Sequence, residues 1–227
     1  MPVIITHPET HATSNLQRGD LVFKNCEGSL EVGKVIQAGQ FLSSLFGQAQ
    51  IKDSKWEHAA VAINAEGSLI EAVSGGITVN DMTRGADYIV FRCSNPAVQN
   101  VAANAAQMFL ENKLEAEDEG SQIFGYSLKK AIKAWANPGR TVPDVDSVEA
   151  RIDSLFPPLA PGQVAADPRD MFCSQFAALC YAIGAEQSGL HPGAFIERQD
   201  HVLTPAQMVT LLRNNPNWQF IGIRQRG

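Results

Sequence analysis

Short apolar or alternating runs, set against longer stretches with an apolar residue every three or four positions, divide the chain into strands and helices. After Arg18-Gly19-Asp20, the run Leu21-Val22-Phe23 reads as a short β segment. Residues 30–46 carry Val32, Val35, Ile36, Leu42 and Leu45 at helical intervals broken by glycines, which predicts helix and loop. Residues 59–63 are a compact apolar run, Asn64-Ala65-Glu66-Gly67 is turn chemistry, and residues 68–73 return as a second strand, so a β-hairpin is expected. Gly75-Gly76 turns the chain into Ile77-Thr78-Val79, and Tyr88-Ile89-Val90-Phe91 supplies a further strand of β-branched and aromatic residues. Strands that follow one another through short links predict an antiparallel sheet.

Helical periodicity begins at Pro96, which suits a first turn, and runs to about Asn112 with Val98, Val101, Ala102, Ala105, Met108 and Phe109 on one stripe. Residues 113–170 break the pattern: an acidic stretch from Glu115 to Glu119, a helical segment over 126–136, and six prolines between Pro138 and Pro168. Proline-rich excursions of this kind serve either as substrate-facing lids or as surface decoration. Asp170 is placed to cap a helix over about 171–183, with Phe172, Phe176, Leu179, Cys180 and Ile183 on its apolar side and Gly184 ending it. Thr204-Pro205-Ala206-Gln207 is a capping box that opens another helix, which ends near Asn214. Residues 218–224 alternate and close the chain as a last strand. The predicted fold class is α+β: one domain over 18–227 with an insertion at about 113–170, behind a flexible arm over 1–17.

Composition narrows the function classes. The chain has 227 residues, 44% hydrophobic and 19% charged, with 18 basic against 24 acidic side chains for a net charge of −6. That describes a globular chain with no basic surplus for a polyphosphate backbone, so nucleic acid is not an expected partner. No apolar stretch reaches 18 residues, so no membrane span is expected. Residues 1–17 contain no Lys or Arg, and Val3 to Ile5 is too short for a signal-peptide core. The expectation is a cytoplasmic protein, or one exported without such a leader. The four cysteines, Cys26, Cys93, Cys173 and Cys180, are sparse and show no C-x-x-C spacing, which fits a reducing compartment and no structural zinc. His7 and His11 are separated by Pro8, which argues against a helical metal pair, and no cofactor is expected.

The usual phosphate-loop, dinucleotide, zinc-protease and serine-hydrolase motifs are absent. What remains is a cysteine at the start of a helix, Cys173, and a histidine at the start of a buried strand, His58. A thiol is a useful nucleophile only as thiolate, and a helix N-terminus with a nearby imidazolium stabilises that anion.

Gly19-Asp20-Leu21-Val22-Phe23, Trp56-Glu57-His58-Ala59-Ala60-Val61-Ala62-Ile63, Leu69-Ile70-Glu71-Ala72 and Phe172-Cys173-Ser174-Gln175-Phe176 together resemble the circularly permuted branch of the NlpC-type papain-like cysteine hydrolases. In the unpermuted family the cysteine helix precedes the G-D-L-V-F and histidine strands; here the order is reversed. The resemblance implies a papain-like sheet packed against the helix that carries the nucleophile. It implies Cys173 as nucleophile, His58 as general base and Glu71 as third member, with the Cys173 backbone N–H donating to the oxyanion. It also implies a cysteine peptidase or amidase acting through an acyl-enzyme on peptides, bacterial cell-wall stem peptides included, some relatives being secreted antibacterial toxins. Two positions depart from the family: Gln175 stands where it has Gly, and Phe172 where it has Asp. The motif of the lecithin:retinol acyltransferase group is not matched, which favours amide hydrolysis over lipid acyl transfer.

Each residue also has a plainer reading. Cysteine is among the most buried residue types, so Cys173 could be core, as Cys180, seven residues on, is read to be; Cys26 and Cys93 are read as structural. His58 could be a strand-end histidine, with His191 or His201 as the base instead. Glu71 could be a charged sheet-edge residue, and Asp20 reads as a turn cap. Lys129, Lys130 and Lys133 read as the solvated side of a helix. The rival readings are an inactive binding module on this fold, or thioester or lipid acyl chemistry with the same Cys173 and His58.

Overall fold

The strands are β1 (Ile4–Thr6), β2 (Thr13–Asn15), β3 (Leu21–Asn25), β4 (His58–Ala62), β5 (Ser68–Val73), β6 (Gly76–Asp81), β7 (Asp87–Cys93) and β8 (Trp218–Arg224). They form one curled sheet in the order β2-β1-β8-β7-β3-β4-β5-β6, and every neighbouring pair is antiparallel. Among the described residues three helices accompany them: α1 (Pro96–Asp118), α2 (Cys173–Gln187) and α3 (Pro205–Asn214). This is a computed structural model, and it describes residues 2–25, 53, 55–73, 76–118, 172–196 and 203–225. The α+β class and the hairpin, capping-box and last-strand expectations agree with it. The helices expected within 30–46 and 126–136 lie outside the described residues, as do Cys26, His201, Asp170, the 126–136 lysines and nearly all of the insertion.

Alternation sorts each strand's residues onto two faces. Leu21, Phe23, Ala59, Val61, Ile70, Ala72, Ile89 and Phe91 face α1 and α2 and form the larger core. Val22, Ala60, Ala62, Leu69, Tyr88, Val90 and Ile221 line the opposite face and form a second, smaller core. That second core corrects the sequence reading of residues 1–17. Ile5 and Leu16 are fully buried in it, and the supposed flexible arm supplies β1 and β2 at the sheet edge. Each of these strands is three residues long, too short for a period of two to register in the sequence.

Two helix limits also differ. Helix α1 continues past Asn112 to Asp118. Helix α2 runs through Gly184, because that glycine is a contact rather than a stop: a Cβ there would lie 2.6 Å from Val98 O of α1. The Gly19-Asp20 turn ties the layers together. Gly19 sits at φ +83°, where glycine is favoured, and its carbonyl accepts a hydrogen bond from the Tyr181 hydroxyl of α2. Asp20 accepts from Gln17 N at 2.8 Å, as a turn cap does. It also accepts from Arg92 of β7 through both oxygens, at 2.8 and 2.7 Å. Gln99 of α1 donates to Arg18 O at 2.7 Å. Asp20 is thus structural, and the turn fixes where α1 and α2 lie over the sheet.

Candidate active site

The β4–β5 register sets Ala60 opposite Glu71, so His58, two residues before Ala60, shares a face with Glu71 and lies diagonal to it. His58 Nε2 and Glu71 Oε2 are 2.8 Å apart. On the other side of Glu71, β6 places Asn80, whose Nδ2 donates to Glu71 Oε1 at 2.6 Å. On the other side of His58, Lys24 of β3 stands directly opposite in register. Asn80 and Lys24 were not legible in the sequence, because only the strand order brings them to Glu71 and His58.

Cys173 arrives from the helix layer. Helix α2 begins at Cys173, whose thiol lies close enough to His58, the first residue of β4, for the two to interact electrostatically. With Nε2 engaged by Glu71, Nδ1 is the ring nitrogen left for the sulfur. The N-cap is Phe172, not Asp170, and its side chain makes no capping bond. The first helical bond of α2 runs from Phe176 N to Phe172 O, so the N–H groups of Cys173, Ser174 and Gln175 precede it and have no acceptor within the helix. Ser174 Oγ donates to Leu203 O at 2.5 Å, tying the helix start to the approach of α3. Gln175, 6% exposed, keeps its Oε1 without a hydrogen-bond partner among the described residues.

No family model matches the chain, and neither the curated proteins nor the solved structures contain a match. Burial works against a charge on the His58 ring. The Cys173 charge and hydrogen bond, then those of Glu71, more than offset it and hold His58 well above the ordinary imidazole value. Burial also pushes Glu71 up. Its hydrogen bond and charge interaction with His58, the Asn80 bond and the Lys24 charge prevail and leave it below the usual carboxylate value. The arrangement favours imidazolium between a carboxylate and a sulfur.

The other sulfurs and histidines differ. Burial pushes the Cys180 and Cys93 thiols up, away from the thiolate. His191 caps a short 3-10 turn (Pro192–Ala194), accepting from Gly193 N at 3.1 Å. His7 accepts from Glu9 N and Thr10 N in a local turn. Among the described residues no group of three or more His, Cys, Asp or Glu could hold a metal ion, and no helix is long and apolar enough to cross a membrane. Cys173 is 3% exposed.

Proposed function

We propose that this chain is a cysteine hydrolase that cleaves an amide bond through an acyl-enzyme, on a circularly permuted papain-like domain of the NlpC type. The observation that carries the reading is His58, held between the Cys173 thiol and the Glu71 carboxylate. The Cys173 sulfur attacks the carbonyl carbon and a C–S bond forms. Charge gathers on the carbonyl oxygen, which the first-turn N–H groups of α2 stabilise as donors already in place. His58 gives its proton to the departing amine as the C–N bond breaks. A water then adds to the thioester, His58 takes that water's proton, the C–S bond breaks and the acid leaves. Glu71 holds the ring's tautomer and stabilises its cation in both half-reactions. The substrate class follows the family resemblance: peptides, with bacterial cell-wall stem peptides among them and export as an antibacterial effector included.

The near-complete cover of Cys173 favours one second reading, an inactive binding module on the same fold. Alkylation separates the two without a substrate. Iodoacetamide labelling of each cysteine is followed by mass spectrometry across pH, in wild type and His58→Ala. The enzyme reading expects Cys173 to react fast below pH about 8.5, where a free thiol slows, and to lose that advantage without His58. A Cys173 that reacts no faster than Cys180 overturns it and leaves the binding module standing.

A further inference from the structure

A cavity of about 180 Å³ opens against the far side of the His58–Glu71 pair, lined among others by Lys24, His58, Glu71, Asn80 and Tyr88, with Cys173 outside its lining. Its lining is part polar and part apolar, and it is large enough to admit several waters, any of which would compete with His58 for a Glu71 oxygen. A glutamate has three rotatable side-chain bonds, and Glu71 held only by His58 could turn one oxygen into that space. The second oxygen is held, however: Asn80 Nδ2 donates to Oε1 at 2.6 Å while Oε2 stays with His58 at 2.8 Å. Because an ionised carboxylate only accepts, the amide must present its NH2.

We propose that Asn80 is a positioning residue of this site, a clamp that holds Glu71 turned toward His58 instead of toward the cavity. It acts through Glu71 and touches neither His58 nor the reacting sulfur in this role. Its effect at the thiol rests on the cysteine-hydrolase reading above; its effect on Glu71 does not. The charged and titratable groups around the pair are Lys24 from β3, Cys173 from α2, Asp81 from β6 and Tyr88 from β7. All of them are unchanged by replacing Asn80.

Asn80→Leu removes the donor at nearly constant shape, and Asn80→Ser offers a shorter one. Two readouts are taken on the folded full chain. The first is the pH profile of Cys173 alkylation by iodoacetamide. The second is the His58 Nε2–H resonance, whose downfield position and protection from exchange report the bond to Glu71. The expected result for Asn80→Leu is an alkylation rate near pH 6 reduced about tenfold, a shift of about one pH unit, with loss of the protected resonance. Thermal unfolding of both variants establishes that they fold, and partial recovery in Asn80→Ser separates a lost donor from altered packing. A wild-type profile and resonance in Asn80→Leu overturn the proposal. If wild-type Cys173 shows no His58-dependent reactivity, the hydrolase reading fails by itself, and the resonance alone decides whether Asn80 positions Glu71.

Discussion

Replacing Glu71 with Gln tests the electrostatic core of the site at nearly constant volume. The His58–Glu71 pair is 2.8 Å long, with side chains 17% and 10% exposed, so solvent screens it little. An opposite charge within hydrogen-bonding range shifts a pKa by about one to three units, so exchanging the carboxylate for an amide, which leaves the imidazolium a neutral acceptor, removes about 1.4 kcal/mol or more from the imidazolium form. At 1.36 kcal/mol per unit, His58 should titrate about one pH unit or more lower. There is a second consequence. For the new amide to accept from His58 with its oxygen, its NH2 must turn toward Asn80, whose own NH2 faces it. Asn80 must therefore flip to present its carbonyl, or the new side chain leaves His58 altogether.

The stability of Glu71→Gln should depend on pH in a defined way. His58 is raised in the folded state, so its contribution is full below the unfolded value of 6.5 and is lost as pH rises through the folded value. Glu71 is lowered, so its contribution is present above 4.5 and is lost as pH falls through the folded value. The loss in the variant is therefore largest between pH 4.5 and 6.5, and smaller on either side. Long-range proton–nitrogen spectra of the ring, titrated in both proteins, measure the midpoint, and urea unfolding at several pH values measures the window. A His58 midpoint that stays put or rises in Glu71→Gln would refute the assignment of Glu71 as the carboxylate that stabilises this imidazolium.

The fold makes two further predictions. Gly184→Val forces a side chain into a space where even a Cβ would lie 2.6 Å from Val98 O and 3.2 Å from Ala102 N, so α1 and α2 must separate. The expected loss in chemical denaturation is about 1–3 kcal/mol or more, and an unchanged midpoint would show that the two helices do not meet there. Arg92→Met leaves Asp20 buried without its ion-pair partner, which should destabilise by about 3–5 kcal/mol at neutral pH. Burial already raises Asp20, and the variant raises it further, so its protonated form is favoured and the loss should shrink as pH falls toward 4. Equal losses at pH 7 and pH 4 would contradict this account of Asp20.

What could be read from the sequence was whatever a local pattern determines. The hairpin over β4 and β5 was legible because six residues or fewer of apolar run flank a turn of unmistakable composition. The α3 cap was legible because Thr204 and Gln207 satisfy each other's backbone, Thr204 N to Gln207 Oε1 at 3.0 Å and Gln207 N to Thr204 Oγ1 at 3.3 Å. Cys173, His58 and Glu71 could be singled out by placement and by resemblance, and the structure brings the three side chains together. Long-range pairing was not legible. Nothing in Ile4-Ile5-Thr6 announces that its partner is Ile223, some two hundred positions on. Gly184 was misread because a glycine in a helix looks the same whether it ends the helix or admits a neighbour. Asn80 belongs to the same class: its partner is set by the β5–β6 register, not by any pattern of its own.

That register explains why so much of the site hangs on a short turn. Glu71 faces His58 only because Ala60 stands opposite Glu71; slipping β5 by one residue would carry its carboxylate to the face under α1 and α2 and leave Ile70 or Ala72 beside the ring. The turn between the strands guards against that slip. Asn64 Oδ1 accepts from the N–H groups of Glu66, Gly67 and Ser68, at 3.0, 3.1 and 3.1 Å, and Gly67 adopts φ +104°, which an L side chain rarely does. Beyond β5 the same arithmetic continues, since Leu69 opposite Asn80 puts that amide on the face of Glu71, one diagonal step away. The carboxylate's position relative to His58 is thus fixed twice, by the Asn64 turn through the backbone and by Asn80 through the side chain. Only the sulfur comes from elsewhere, carried in by a helix whose own position depends on Gly184 and on the Gly19-Asp20 turn.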